Sequence, residues 1–209
     1  MPLHVVDHPL VAHRVAVLRD ARTGSAEFRR VSGELAGFLV YEATRSLPMR
    51  AGSVATPLGL DAPTTTLVDH QPLLVPILRA GLALLDGALA AVPTAEVGLV
   101  GLARDEATHE PTPYCVRLPA EMEATFALVL DPMLATGGSL AWTCEMLAAR
   151  GAGRVGAVCL LAAPEGVAAM ADRCPDVDIV VAALDPGLDE RAFIVPGLGD
   201  AGDRLYGRV

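Results

Sequence analysis

Residues suited to binding a phosphorylated sugar gather where an apolar run ends on Asp131 and opens into a turn rich in glycine and hydroxyl groups. Gly137 and Gly138 lack a Cβ, so backbone N–H groups can approach an anion closely there, and the helix that follows would direct its positive dipole end at the same place. Thr136 and Ser139 add hydroxyl donors. Asp131 would repel a phosphate, so its natural partner is a pair of sugar hydroxyls or a bound cation.

A plainer interpretation of this stretch stays open. A strand that turns into a helix can use glycine only to permit the bend, and Ser139 could then cap the helix. These residues by themselves fit both a turn that binds an anion and one that only connects two elements.

A second candidate anion site is the segment VPILRAG at 75–81, where a strand-like run enters a small-residue turn that carries Arg79. Arginine suits this task because its fork donates two parallel hydrogen bonds to phosphate oxygens, each charge-assisted bond contributing roughly 1.5–3 kcal/mol. The alternative is an arginine that pairs with a nearby acid.

The segment 194–204 contains a literal G-x-G-x-x-G pattern. A dinucleotide fingerprint must open a helix and lead to another strand with an acid about 20 residues on, and no such strand follows here. The small residues instead expose backbone N–H and C=O groups that can match the edge of a flat base. A backbone template fitted to the donors and acceptors of one base leaves buried groups unpaired with another.

The elements that must position these residues alternate between short apolar runs and helix-length segments from Leu73 onward. This order predicts an α/β fold with a mostly parallel, doubly wound sheet. The apolar patterns indicate strands at 73–78, 97–103, 126–130, 155–162 and 178–184, and helices at 10–21, 25–47, 81–92, 139–150 and 165–173. Residues 52–70 suit a short strand pair or loops.

Polar residues follow all five predicted strands. In sheets of this kind ligands bind beyond the carboxyl ends of the strands, so the residue after each strand is a candidate. These residues are Arg79, Arg104, Asp131, Glu165 and Asp185. Two arginines and Asp131 on one rim would suit a pyrophosphate and a ribose, although this fold class places some polar residue at every strand end.

Three motifs resemble those of the uracil phosphoribosyltransferases, within the type I phosphoribosyltransferase family. DPMLATGGS at 131–139 is similar to the loop that binds 5-phosphoribosyl-1-pyrophosphate (PRPP), VPILRAG to the pyrophosphate loop, and PGLGDAGDR at 196–204 to the hood that binds uracil. Many relatives carry two adjacent acids in the PRPP loop, whereas Pro132 takes the second position here. YEAT at 41–44 and AAPEG at 162–166 extend the resemblance nearly from end to end.

The resemblance implies a reaction in which uracil N1 joins C1 of PRPP, giving UMP and pyrophosphate. It implies catalytic roles for Arg79, Arg104, Asp131 and Asp200. The residues implied to bind PRPP are Arg79, Arg104, Asp131, Pro132, Met133, Leu134, Ala135, Thr136, Gly137, Gly138, Ser139 and Asp200. Those implied to bind uracil are Ile194, Gly199, Asp200 and Ala201. Mg²⁺ is the implied cofactor, bound mainly through PRPP without a dedicated protein cage.

The charged, proline-bearing segment from Arg104 to Tyr114 resembles the mobile active-site hairpin of this family. We expect it to project as a flap and exclude water, which could otherwise intercept the cation-like state at C1 of the sugar. The expected organisation is one domain over 1–209, with N-terminal helices at 1–48, a core at 72–185, the flap at about 104–117 and the hood at about 186–209. The resemblance also implies a homodimer or larger homo-oligomer, with GTP as a candidate effector.

Composition restricts the partners. A net charge of −9 and a pI near 4.9 oppose a nucleic-acid-binding surface. All 16 basic residues are arginine, which excludes a Walker-type nucleotide loop and Schiff-base chemistry. The apolar runs fall short of the roughly 20 residues that a bilayer span needs. We therefore expect no nucleic-acid or membrane partner and a cytoplasmic location.

Two other functions remain as alternatives. The same fold could serve as an RNA-binding regulator of a pyrimidine operon, with the nucleotide site used for sensing, but the acidic net charge and the lack of a basic stripe disfavour this. The chain could also be a phosphoribosyltransferase for another base, such as hypoxanthine or orotate. The hood motif disfavours that alternative.

Overall fold

The computed structural model describes residues 1–68, 72–104, 111–123 and 125–207. The elements in chain order are β1 (Leu3–Val5), α1 (Pro9–Arg19), α2 (Ser25–Ala43), β2 (Met49–Ala55), β3 (Asp61–Leu67), β4 (Leu73–Leu78), α3 (Leu82–Ala91), β5 (Leu99–Arg104), β6 (Pro111–Arg117), β7 (Phe126–Leu130), β8 (Met133–Leu134), α4 (Gly138–Ala149), β9 (Arg154–Ala162), α5 (Pro164–Arg173), β10 (Asp178–Leu184), β11 (Gly187–Leu188), β12 (Ile194–Val195) and α6 (Ala201–Tyr206). Within the described ranges, no helix combines the length and the apolar character that crossing a bilayer requires.

The central sheet is mostly parallel. Its strand order is β1-β10-β9-β7-β4-β5-β6, and the short β8 also pairs with β9. All of these pairs are parallel except β5 with β6, which is antiparallel. The strands β4, β7 and β9 are buried almost throughout, which explains why they read as continuous apolar runs. The predicted α/β fold is thereby confirmed.

Helices cover the sheet on both faces. The core on one face joins residues of α1, α2, α3 and α6, with Phe28, Leu35 and Leu39 fully buried. The core on the other face lies under α4 and α5 and includes Leu140 and Met170. Because both layers are anchored to the same strands, the loops at the carboxyl ends of those strands are held at one edge.

The structure differs from the predicted elements at the end of one long helix and at one edge of the sheet. The helix predicted over 25–47 ends at Ala43, because Thr44 leaves the helical conformation and its hydroxyl donates to the carbonyl of Val40 at 2.8 Å. Leu47 precedes a proline, which disfavours a helical conformation there. The edge strand β1 was not predicted, since three residues are too few to show a period.

The region predicted as a strand pair or loops forms an antiparallel hairpin. β2 and β3 pair in register from Met49 with Leu67 to Ala55 with Asp61, and they form a sheet of their own. Their residues are mostly exposed. The alternating signal of a half-buried strand is therefore absent from this stretch.

Candidate active site

The carboxyl ends of β4 and β7 meet at one edge of the sheet. The two strands are parallel neighbours, with Pro76 opposite Leu130, so the residues that follow them share that edge. Arg79 after β4 and Asp131 after β7 both line a cavity of about 300 Å³. The cavity therefore lies where ligands bind in open α/β sheets.

Three parts of the chain build the walls of this cavity. The end of β4 and the turn after it contribute residues 77–80. After β7, Asp131 and the stretch 133–140, from β8 to the first turn of α4, line the cavity, and the C-terminal segment contributes residues 191–194 and 199–202. Leu102 of β5 completes the lining. Two peptide bonds in or beside these segments are cis, Leu78–Arg79 and Val195–Pro196.

Most of the residues predicted for the site line the cavity. They are Arg79, Asp131, Met133, Leu134, Ala135, Thr136, Gly137, Gly138, Ser139, Ile194, Gly199, Asp200 and Ala201. Pro132 does not: it is buried, and its carbonyl accepts hydrogen bonds from the N–H groups of Leu160 and Leu161 on β9 at 2.9 and 3.1 Å. Arg104 ends β5, and its side chain lies outside what the structure describes.

The two glycines of the loop after β7 serve different purposes. Gly137 precedes α4 with φ +81°, and a Cβ on it would lie 3.0 Å from the carbonyl oxygen of Gly166, so both conformation and packing require glycine. A Cβ on Gly138 would meet no described protein atom closer than the Thr136 hydroxyl at 3.9 Å. Because Gly138 lines the cavity, its missing side chain leaves room for a ligand rather than for the protein.

The start of α4 is free to bind an anion. The interpretation that Ser139 caps this helix is wrong, because α4 begins at Gly138 and Gly137 is its N-cap. Within the described residues no side chain accepts a hydrogen bond from this helix start. The first N–H groups of α4 and the helix dipole are therefore available to a phosphate in the cavity.

The charges around the cavity are balanced between two arginines and two carboxylates. Arg79 and Arg191 line it, as do Asp131 and Asp200. Among the residues that the structure describes, neither Arg79 nor Arg191 donates a side-chain hydrogen bond or forms an ion pair. The alternative of an Arg79 that pairs with an acid therefore finds no support in those residues.

The C-terminal segment presents backbone groups to the cavity. Gly199 has φ +80°, a conformation that favours glycine. Asp200 caps α6, and its Oδ1 accepts the N–H of Asp203 at 2.8 Å. Its carboxylate thus has a fixed orientation at the cavity wall.

Sequence analysis missed the tip of the β11–β12 hairpin, residues 189–193. Asp189 Oδ1 accepts the N–H groups of Arg191 and Phe193 at 2.9 and 2.8 Å, which folds the tip so that residues 191–193 line the cavity. Ala192 at the tip has φ +62°. An aspartate that bonds backbone groups a few residues on is a turn signal, but strands of two residues are too short to draw attention to it.

Two of the predicted strand-end residues have structural roles. Glu165 Oε1 accepts the N–H of Leu188 at 3.1 Å, and Asp185 bonds Arg19 and Gly197. Neither lines the cavity. Both hold the C-terminal segment over the sheet instead of facing a ligand.

The parallel sheet, the glycine-rich loop after β7 and the arginine after the neighbouring strand define a phosphoribosyltransferase. Two solved structures share this fold at 14% identity: adenine phosphoribosyltransferase from Trypanosoma brucei, with a TM-score of 0.58 over 89% of this chain and 84% of that one, and hypoxanthine phosphoribosyltransferase from Trypanosoma cruzi, with 0.51 over 79% and 76%. At that identity the likeness concerns the fold alone.

The chain belongs to the uracil phosphoribosyltransferase family, whose model matches residues 5–208. It is 54% identical to uracil phosphoribosyltransferase from Beutenbergia cavernae over the full length of both chains. It is 48% identical to that of Corynebacterium glutamicum, over 99% of this chain and 97% of the relative. A solved structure of a protein from Aquifex aeolicus is 38% identical and has a TM-score of 0.92 over 98% of both chains.

Proposed function

We propose that this cavity is the active site of the uracil phosphoribosyltransferase reaction, in which N1 of uracil replaces pyrophosphate at C1 of PRPP and gives UMP. One observation carries the proposal. The start of α4, two arginines that make no side-chain hydrogen bond or ion pair among the described residues, and a C-terminal segment rich in backbone groups line the same 300 Å³ cavity. These features match the phosphate, the pyrophosphate and the base of the two substrates.

The 5-phosphate of PRPP binds at the start of α4. The N–H groups of residues 137–139 and the hydroxyls of Thr136 and Ser139 donate to its oxygens, and the helix dipole adds a favourable field. The open space beside Gly138 accommodates the phosphate without a clash. Met133, Leu134 and Ala135 complete the loop around it.

Asp131 and the arginines act on opposite charges of the transition state. The Asp131 carboxylate accepts hydrogen bonds from the ribose hydroxyls and stabilises the positive charge that develops at C1. Arg79 and Arg104 stabilise the departing pyrophosphate, and Arg191 supplies a further guanidinium from the hairpin tip. Since Arg104 ends β5, the hairpin of β5 and β6 would bring it over the site as a flap that excludes water.

Uracil binds against the backbone of Ile194, Gly199 and Ala201. Peptide N–H and C=O groups at these positions match the donor and acceptor pattern of its edge and leave cytosine with unpaired groups. Asp200, whose orientation is fixed by its cap on α6, lies between the base and PRPP and orients the base for attack.

The donors around the cavity fit Mg²⁺ held mainly by the substrate. No group of three or more histidine, cysteine, aspartate or glutamate side chains in the described parts of the chain is arranged to hold a metal ion. Mg²⁺ prefers oxygen ligands and retains water, so PRPP oxygens and water supply most of its shell, with Asp131 bound to the ribose hydroxyls beside it. When bound, the ion neutralises charge on the pyrophosphate.

The resemblance to the family also motivates a proposal about assembly, regulation and location. We propose a homodimer or larger homo-oligomer in the cytoplasm, with GTP as an effector, and with no nucleic-acid or membrane partner. Sedimentation with and without GTP would test the assembly, and a larger fraction of oligomer with a faster initial rate in GTP is expected. A monomeric protein whose activity does not change with GTP would contradict both the proposed oligomer and the proposed GTP effector.

Release of pyrophosphate from PRPP tests the function itself. We expect release with uracil and Mg²⁺, none with cytosine, and loss of activity when EDTA removes the metal. Release with hypoxanthine or orotate but not uracil would contradict the assignment. A gel-shift with pyrimidine-operon RNA serves as a control for the regulatory alternative, and no shift is expected because the chain is acidic.

A further inference from the structure

Two charged side chains outside the cavity bond the N–H and the C=O of Gly197, which is close in sequence to the cavity-lining Gly199. Asp185 Oδ2 accepts the N–H of Gly197 at 2.9 Å, and Arg19 Nη1 donates to the carbonyl of Gly197 at 2.8 Å. Arg19 Nη1 and Nη2 also lie 2.8 and 2.5 Å from Asp185 Oδ2 and Oδ1. We call this closed set of hydrogen bonds among Arg19, Asp185 and Gly197 the hood clamp.

The hood clamp joins a buried carboxylate to a partly buried guanidinium, and both are attached to rigid elements. Asp185 is 5% exposed, and its N–H donates to the carbonyl of Ala162, the last residue of β9, at 2.9 Å. Arg19 is the last residue of α1. A surface ion pair contributes little, whereas a buried carboxylate that loses its partner is left with an uncompensated charge. Breaking the clamp should therefore cost more free energy than breaking one of the exposed ion pairs of this chain, so the clamp restrains the C-terminal segment firmly.

Gly197 transmits this restraint to the cavity wall. Its φ is +59°, and a Cβ on it would lie 2.0 Å from the carbonyl oxygen of Ile194, which lines the cavity. A shift of the Gly197 peptide would therefore displace Ile194 on one side and Gly199 on the other. Arg204 supports the next peptide, since it donates to the carbonyl of Leu198 at 3.0 Å.

We propose that Arg19 and Asp185 are positioning residues for the pyrimidine, acting through Gly197 on the peptide groups that recognise the base. This inference rests on the proposed function. A base read by backbone groups depends on the angles of the peptide planes, because hydrogen bonds weaken steeply when misaligned. Through Gly197 the clamp bonds the C-terminal segment that is proposed to recognise the base, whereas the loop with Arg79 follows β4 and the loop proposed for the 5-phosphate and ribose follows β7. Its loss should therefore affect uracil far more than PRPP.

Three variants of the clamp test the proposal. Asp185→Asn keeps the size of the side chain and removes its charge, Arg19→Gln removes the charge and shortens the side chain, and Arg19→Lys keeps the charge but loses the two-pronged geometry. We expect the KM for uracil to rise about tenfold in the first two variants and about threefold in Arg19→Lys, with the KM for PRPP within about twofold of wild type. The preference for uracil over cytosine should fall in the same order.

Arg14→Gln is the matched control. Arg14 lies on the same helix and pairs with Glu34 at 3.1 Å, away from the hood clamp. Its variant should keep wild-type kinetics, and melting temperatures of all the variants show which of them are folded at the assay temperature. No UMP formation by the wild type would refute the proposed function and not the clamp alone.

With an active wild type, parallel increases in both KM values would overturn the proposal, and so would an unchanged KM for uracil in every folded variant. If Arg19→Gln and Asp185→Asn do not fold, Arg19→Lys decides. A selective rise in its KM for uracil supports the positioning role. Wild-type kinetics would show that the clamp only stabilises the fold and would overturn the proposal.

Discussion

In the proposed reaction, the chemistry depends most on Asp131. It lines the cavity at the end of β7, and Pro132 beside it leaves no second acid in the loop. We expect Asp131→Asn to lower kcat by more than about tenfold, because the amide cannot balance the positive charge at C1. Steady-state assays with saturating PRPP would measure this against Asp172→Asn, an exposed aspartate on α5. A near-normal kcat would refute the role of Asp131.

Gly137 and Gly138 offer a matched pair of substitutions with opposite outcomes. Gly137→Ala should destabilise the fold by roughly 1–2 kcal/mol, because alanine must adopt a positive φ and its Cβ lies close to Gly166. Gly138→Ala should keep the melting temperature and raise the KM for PRPP, because the new methyl group enters the cavity. Denaturant titrations and PRPP kinetics distinguish the two. The assignment fails if Gly138→Ala binds PRPP normally.

Single residues could be assigned from the sequence best where one property, such as charge or the lack of a Cβ, limits their role. Asp131, Arg79 and the two glycines could be assigned to the site because a charge or a missing Cβ has few uses after a buried strand. Asp185 could not be assigned, because its partner Arg19 is distant in the chain and only the folded sheet brings the two together. Pro132 matched a motif by position, but its carbonyl bonds to β9.

At the scale of elements, the proposed flap and the hairpin tip are each expected to supply an arginine to the pyrophosphate. Arg104 ends β5, and Arg191 lies at the β11–β12 tip and lines the cavity. We expect Arg104→Ala and Arg191→Ala to raise the KM for PRPP with little change in the KM for uracil, because each removes a donor to pyrophosphate. Arg117→Ala on β6 is the control. A loss of uracil affinity alone would show that these elements cover the base instead.

The hairpin tip also includes a residue in an unfavourable backbone conformation. Ala192 has φ +62°, in the left-handed region where a Cβ is disfavoured. Ala192→Gly should therefore stabilise the fold by up to about 1 kcal/mol, although the greater freedom of glycine in the unfolded chain offsets part of the gain. Thermal unfolding would measure it. A lower melting temperature would show that packing of the alanine methyl group outweighs the strain.

Long elements could be predicted from the sequence, whereas short ones could not. The buried strands β4, β7 and β9 and their helices have strong apolar patterns, so their order gave the parallel sheet. β1, β11 and β12 have two or three residues each: β1 pairs with the distant β10, whereas β11 and β12 pair with each other. The tip between β11 and β12 builds one wall of the cavity, so that wall could not be predicted.

At the scale of the whole molecule, the hood clamp makes stability depend on pH. Burial alone would raise the pKa of Asp185, but hydrogen bonds from Arg19 and Gly197 outweigh it and hold the pKa below its ordinary value. A carboxyl with a lowered folded pKa adds stability above its unfolded pKa of about 3.9, and this is lost as the pH falls through the folded value.

This dependence can be measured by difference. The gap in unfolding free energy between wild type and Asp185→Asn should be largest near pH 6 and shrink below about pH 4, where Asp185 of the unfolded chain begins to take up its proton. Urea titrations across that range would show it, with Asp172→Asn as a control whose gap stays small throughout. A gap independent of pH would mean that the charge of Asp185 does not stabilise the fold.

A crystal structure of the protein with UMP tests most directly whether the cavity joins phosphate and base recognition in one site. We expect the phosphate within hydrogen-bond distance of the N–H groups of residues 137–139, and the edge of the uracil ring against the backbone of residues 199–201. A nucleotide bound elsewhere, or one that leaves either of these segments untouched, would contradict the account.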